Sequence, residues 1–174
     1  MKKYKIPFVG LKQGIHQYDY SIGEDFFSAF EYSPIKKGDV EVKLELNKQD
    51  VLMILDFEMA GTVEVQCDRC LENYDQEVSG HNRLIIKLGN EAIEESDEIV
   101  VIPREEYEID VAQYIYEYIT LLLPLKKVHP DDKDGNSLCD KEILARLDEL
   151  SYRPEAENEI DPRWESLKHL FKKN

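Results

Sequence analysis

VEVQCDRCLENYDQEVSG, residues 63–80, alternates apolar and polar side chains up to Cys67, breaks at Asp68-Arg69-Cys70, and resumes a strand-like pattern after Asn73. A period of two on both sides of a short tip reads as strand, turn, strand. Working outward, VLMILDFEMAGTVEVQC (51–67) carries the first strand back towards Val51, with Gly61 expected at a bulge or bend. YDQEVSGHNRLIIKLG (74–89) extends the second. Upstream, DVEVKLELNKQ (39–49) sets Val40, Val42, Leu44 and Leu46 on one face and Glu41, Lys43, Glu45 and Asn47 on the other, the pattern of a half-buried antiparallel strand. KYKIPFVG (3–10) and HQYDYSI (16–22) add short strands, and Phe26, Phe27 and Phe30 share one face of a short helix in 23–32.

The second half changes character. Residues 91–110 hold nine acidic side chains against Arg104 alone and read as a solvated loop around one short strand, IVVIP (99–103). EIDVAQYIYEYITLLLPL (108–125) predicts a central helix capped by Asp110, with Val111, Ile115, Tyr118 and Leu122 on one stripe and Pro124 forcing the stop. A turn-rich loop (126–140) leads to an amphipathic helix, KEILARLDEL (141–150). Beyond an acidic linker, DPRWESLKHLFKKN (161–174) predicts a last helix, with Asp161 as N-cap, Pro162 in its first turn and an apolar stripe of Trp164, Leu167 and Phe171. The expectation is an α+β fold: an antiparallel β-rich body with a central helix and two C-terminal helices. It is a single domain overall, with residues 1–126 as the β-rich core and central helix and 127–174 as loop, short helix and C-terminal helix.

The 174 residues carry a formal charge of −15 at a hydrophobic fraction of 42%. That composition supports an ordinary packed core without staples. The charge repels phosphate backbones at long range, so any nucleic-acid contact falls to a local basic patch or a basic protein partner. Arg163, Lys168, Lys172 and Lys173 beside Trp164 are the one compact basic segment. They suit docking on RNA or in a protein groove, and equally a helix end complementing its dipole. No signal-peptide pattern and no apolar run of about 18 residues occurs, and three cysteines fit no disulfide framework, so the expected location is cytoplasmic.

Cys67-x-x-Cys70 supports three readings. Two thiolates at that spacing form half of a tetrahedral zinc site, for which Cys139 and His129 in the 126–140 loop are the available partners. A redox dithiol favours a strand-to-helix junction, whereas strand-like sequence flanks this pair. A plain turn with Asp68 and Arg69 at its tip is the third. No P-loop, G-x-S-x-G, G-x-G-x-x-G or H-x-x-x-H pattern accompanies it, and no nucleophile is paired with a base, so no enzyme and no small-molecule substrate is expected.

CDRCL (67–71), EIDVAQYIYEYITLLLPLK (108–126) and IDPRWESLKHL (160–170) resemble, in order and spacing, the motifs of the YceD-like family, the large ribosomal RNA subunit accumulation proteins. The resemblance covers most of residues 40–171. It implies a bacterial or plastid protein without known catalytic activity that supports large-subunit assembly or accumulation of its RNA, through a basic ribosomal protein and/or the large-subunit ribosomal RNA precursor. A stoichiometric chaperone-like module for a basic protein, acting off the ribosome, is the alternative. Many members carry a second cysteine cluster after the Leu-Pro segment, where this chain has only Cys139 and, ten residues earlier, His129. One zinc ion on Cys67, Cys70, His129 and Cys139 is the implied cofactor. Arg69, Asp161, Arg163, Trp164, Lys168, Lys172 and Lys173 are the candidate partner or RNA contacts.

Overall fold

A computed structural model describes residues 2–90, 93–96 and 98–151. The chain divides into two compact units, the first ending at Cys139 and the second beginning at Asp140. The fold is α+β, as the patterning predicts.

The first unit is built on a six-stranded sheet. β2 (Gly14–Ile22), β3 (Gly38–Lys48), β4 (Leu52–Gln66) and β5 (Asn73–Gly89) form an antiparallel meander. β7 (Ile99–Pro103) then pairs parallel to β5, and β6 (Ile93–Ser96) closes the edge antiparallel to β7, giving the order β2-β3-β4-β5-β7-β6. β1 (Lys5–Pro7) and β8 (Glu108–Asp110) make a separate two-stranded ribbon. The long strands follow from uninterrupted alternation: Val40, Val42, Leu44 and Leu46 on β3, and Met53, Leu55, Phe57 and Met59 on β4, are all buried on one face. Each such side chain contributes about 1.5–3 kcal/mol on leaving water.

α2 (Ala112–Leu121) covers that face, burying Ala112, Ile115, Tyr118 and Ile119, with the Tyr118 ring edge-on to Phe57 at 5.2 Å. Beside it, α1 (Glu24–Phe27) is a single turn whose Phe26 packs against Tyr4 at 5.0 Å, while Phe30 stacks on Tyr116 at 4.0 Å.

Four details differ from the sequence reading. The first residues begin as a 3-10 turn (Lys2–Tyr4), leaving only Lys5–Pro7 extended. The 91–110 segment contributes β6 and β8 as well as β7. Asp110 is the last residue of β8 and not the N-cap of α2; Val111 holds that position with no side-chain cap, while the Asp110 carboxylate accepts the Ala112 N–H on Oδ1 at 3.0 Å. Gly61 makes no bulge. It pairs in register with Val40 and Val78, and glycine is required because any Cβ would intrude on the Asp39 carbonyl oxygen of the neighbouring strand.

In the second unit, α3 (Lys141–Leu150) starts where Asp140 accepts the Ile143 N–H at 2.9 Å. The expected helix over 161–174 lies outside the described residues.

Candidate metal centre

Inward-facing positions on β4 continue through Val63 and Val65, and the same alternation brings Cys67 to the inner side at full burial. The chain then turns. Leu71 N–H donates to the Cys67 carbonyl at 3.0 Å and Cys67 N–H to the Glu72 carbonyl at 2.8 Å, with Leu71 in the left-handed region at φ 65°. This tight turn faces Cys70 back towards Cys67, and β5 departs from Asn73 opposite Gln66.

The other two donors come from the loop after α2, whose ten-residue spacing is folded up locally. Asp131 and Ser137 form a β-bridge, and the Asp132 carboxylate accepts the backbone N–H groups of Asp134 (2.9 Å) and Asn136 (2.8 Å) around Gly135 at φ 81°. His129 and Cys139 therefore emerge side by side from the stem of a small hairpin. Asp68 fastens this stem to the cysteine turn: its N–H donates to the Lys127 carbonyl at 2.7 Å and its carboxylate accepts the Lys127 N–H at 2.7 Å.

Cys67, Cys70, His129 and Cys139 thus present four donor atoms, all within 4.8 Å of one another. Cys67 and Cys139 sulfurs are 3.6 Å apart, and His129 Nδ1 lies 3.4 Å from Cys70 Sγ and 3.6 Å from Cys139 Sγ. A tetrahedral ion with metal–sulfur bonds of about 2.3 Å and metal–nitrogen bonds of about 2.0–2.1 Å spaces its ligands by roughly 3.8 Å (S to S) and 3.6 Å (S to N). The four residues fit such an ion. An ion held by all four would have a tetrahedral shell supplied wholly by protein, with no position left for a substrate.

The electrostatics favour ligand-ready sulfur. Burial pushes the Cys67 thiol up, but N–H groups of Cys70, Arg69 and His129 outweigh it and lower the thiol to about 5. Cys139 is likewise pushed up by burial and brought below its ordinary value by Ser137, Arg69 and His129. Burial lowers His129, and its hydrogen bonds to Cys67 and Cys139 more than restore it. The Tyr74 ring lies over the imidazole at 4.8 Å.

A match to the family model described as "Large ribosomal RNA subunit accumulation protein YceD" spans residues 55–171, which includes all four donors and about two thirds of the chain. The chain belongs to the YceD family. No curated protein and no solved structure matches it.

In this YceD-family chain the four candidate metal ligands come together as the sequence suggested. Arg69 is turned back over the cluster, onto Cys139 and Ser137. Asp161, Arg163, Trp164, Lys168, Lys172 and Lys173 lie outside the described residues. Sequence reading missed the Asp68 clamp, Ser137 and Tyr74. Ser137 had a local signal, a hydroxyl two residues before a ligand whose N–H it accepts at 3.2 Å. Asp68 and Tyr74 act across sequence separations that no motif encodes.

The outer face of the sheet is charged. Gln17, Asp19, Lys43, Glu45, Asp56, Glu58 and His81 line a depression of about 620 Å³, in which Asp56 pairs with Arg83 at 2.7 Å and His81 at 3.3 Å. Among the described residues, no helix is long and apolar enough to cross a membrane.

Proposed function

We propose that this YceD-family chain is a non-catalytic, cytoplasmic factor for large ribosomal subunit assembly, with its β-body pinned by one structural zinc ion. The observation that carries the reading is the closed Cys67–Cys70–His129–Cys139 shell inside a match to a family named for large-subunit RNA accumulation. Three thiolates and one imidazole select a borderline-soft tetrahedral ion, and four protein ligands make the site structural rather than catalytic. Zinc would hold the hairpin stem against the β4–β5 turn, and it would supply no Lewis-acid chemistry to a substrate.

Recognition then falls to surfaces. A net charge of −15 disfavours wrapping RNA and favours a basic ribosomal protein, for which the acidic outer sheet face is the natural seat. The basic segment 161–174, with Trp164, is the proposed RNA contact. The same charge also favours the second reading, a chaperone-like module that holds a free basic protein off the ribosome.

Sedimentation of a lysate of the protein's own cells on a density gradient, with and without nuclease, separates them. Co-migration with large-subunit precursors that nuclease abolishes, and that deletion of residues 161–174 also abolishes, is the expected result. Migration only at the top of the gradient, with one basic protein and without nuclease sensitivity, refutes the assembly reading in favour of the second.

A further inference from the structure

Arg69 sits between two ligands in sequence and bonds to both halves of the site. Its backbone N–H donates to Cys67 Sγ at 3.4 Å, and its Nε donates to Cys139 Sγ at 3.3 Å. A terminal guanidinium nitrogen donates to Ser137 Oγ, the atom that also accepts the Cys139 N–H. One residue therefore ties a sulfur delivered by β4 to a sulfur delivered by the hairpin, across a sequence separation of 70.

The charge balance gives this arrangement a purpose. Three thiolates around a divalent ion leave one net negative charge, on a chain that is already strongly acidic. A guanidinium against Cys139 offsets that charge through a charge-assisted N–H···S bond, which holds the sulfur in place at the centre. Its planar fork reaches sulfur and hydroxyl together, which an ammonium on a flexible stem does not.

We propose that Arg69 is a positioning residue of the metal centre: it fixes Cys139 on the shell and sets how tightly the metal is held. This rests on the zinc reading above and deepens it. It also gives the arginine of the C-x-R-C motif an inward task in place of the partner or RNA contact expected of it from the sequence.

The test uses the full chain, reduced, with zinc affinity measured by competition against a chromogenic chelator and the thiolate-to-metal charge-transfer band recorded with cobalt(II). Arg69→Met is expected to bind zinc about 10–100-fold more weakly than the wild type, the usual cost of losing an outer-shell partner. Arg69→Lys, which keeps the charge and loses the fork, is expected in between, with both variants melting as folded proteins when saturated. Wild-type affinity in both variants overturns the role of Arg69 and leaves the zinc reading standing. A wild-type chain that takes up neither zinc nor cobalt overturns the zinc reading, and the role of Arg69 with it.

Discussion

Removing the metal should loosen the first unit without unfolding it. Its sheet has an apolar core of its own, from Val40 on β3 to Ile86 on β5, none of which depends on the four ligands. Zinc at the proposed centre would therefore stabilise by mass action: at free zinc a hundred times the dissociation constant the gain would be about 2.7 kcal/mol. Unfolding entropy near the transition is about 2.1 cal/mol/K per residue, or roughly 0.29 kcal/mol/K over residues 1–139, so the loss amounts to about 9 °C in Tm. Calorimetry of protein before and after stripping with a chelator, with zinc content measured on each sample, checks the figure. Hydrogen exchange locates it: the amides of Asp68 and Lys127, which join the turn to the hairpin stem, should lose protection while those of Phe57 and Ile86 keep theirs. Equal Tm values for loaded and stripped protein would refute the reasoning. So would outright unfolding on stripping, because the metal would then be building the core rather than pinning a hairpin onto it.

Two glycines on adjacent strands should respond differently to alanine. At Gly61 the new methyl meets backbone at Asp39, and the expected cost is about 3 kcal/mol. At Gly80 its nearest neighbours are all on the Leu122 side chain, which can rotate where backbone cannot, so the variant should lose about 1 kcal/mol, clearly less than at Gly61. Urea unfolding of both variants decides, and equal losses would contradict the distinction. Burial pushes Tyr20 and Tyr118 from 10.0 up to about 12. A raised folded value means that this stability is complete below pH 10 and is lost as pH climbs towards 12. Ultraviolet titration should show these two phenols ionising after the exposed tyrosines, as the fold gives way; all ten ionising together near pH 10 in folded protein would contradict it.

Strands, central helix and donor set were legible in the sequence because each rests on local pattern. The inner-face residues of β3 and β4 alternate without a break, and Pro124 marks the end of α2 within three residues. His129 and Cys139 were named as ligands by elimination, since no other cysteine and no other histidine lies in that loop. Their closeness was not legible, because it depends on the Asp132 turn and the Asp131–Ser137 bridge, where polar loop residues replace a recognisable knuckle. The acidic stretch hid β6 and β8 for a related reason. Its charges mask short strands whose pairing partners, β7 and β1, are remote or themselves short. Gly61 was misread because a close backbone approach and a bulge leave the same trace in sequence.

Cys67 is the last inward position in a count that starts at Met53 and runs in steps of two through Leu55, Phe57, Met59, Gly61, Val63 and Val65. β4 thus acts as a ruler that fixes the phase of the metal centre. One residue added or lost between Val65 and Cys67 would turn the sulfur to the opposite side of the sheet, away from His129 and Cys139, while Met59, Val63 and Val65 before it stay seated. A two-residue change keeps the phase and shifts the cysteine turn along the strand by about 7 Å, far more than a metal bond tolerates. A length change at this end of the strand would break up the donor cluster before it broke up the core, so the proposed metal centre would tie the register of β4 to coordination chemistry as well as to packing.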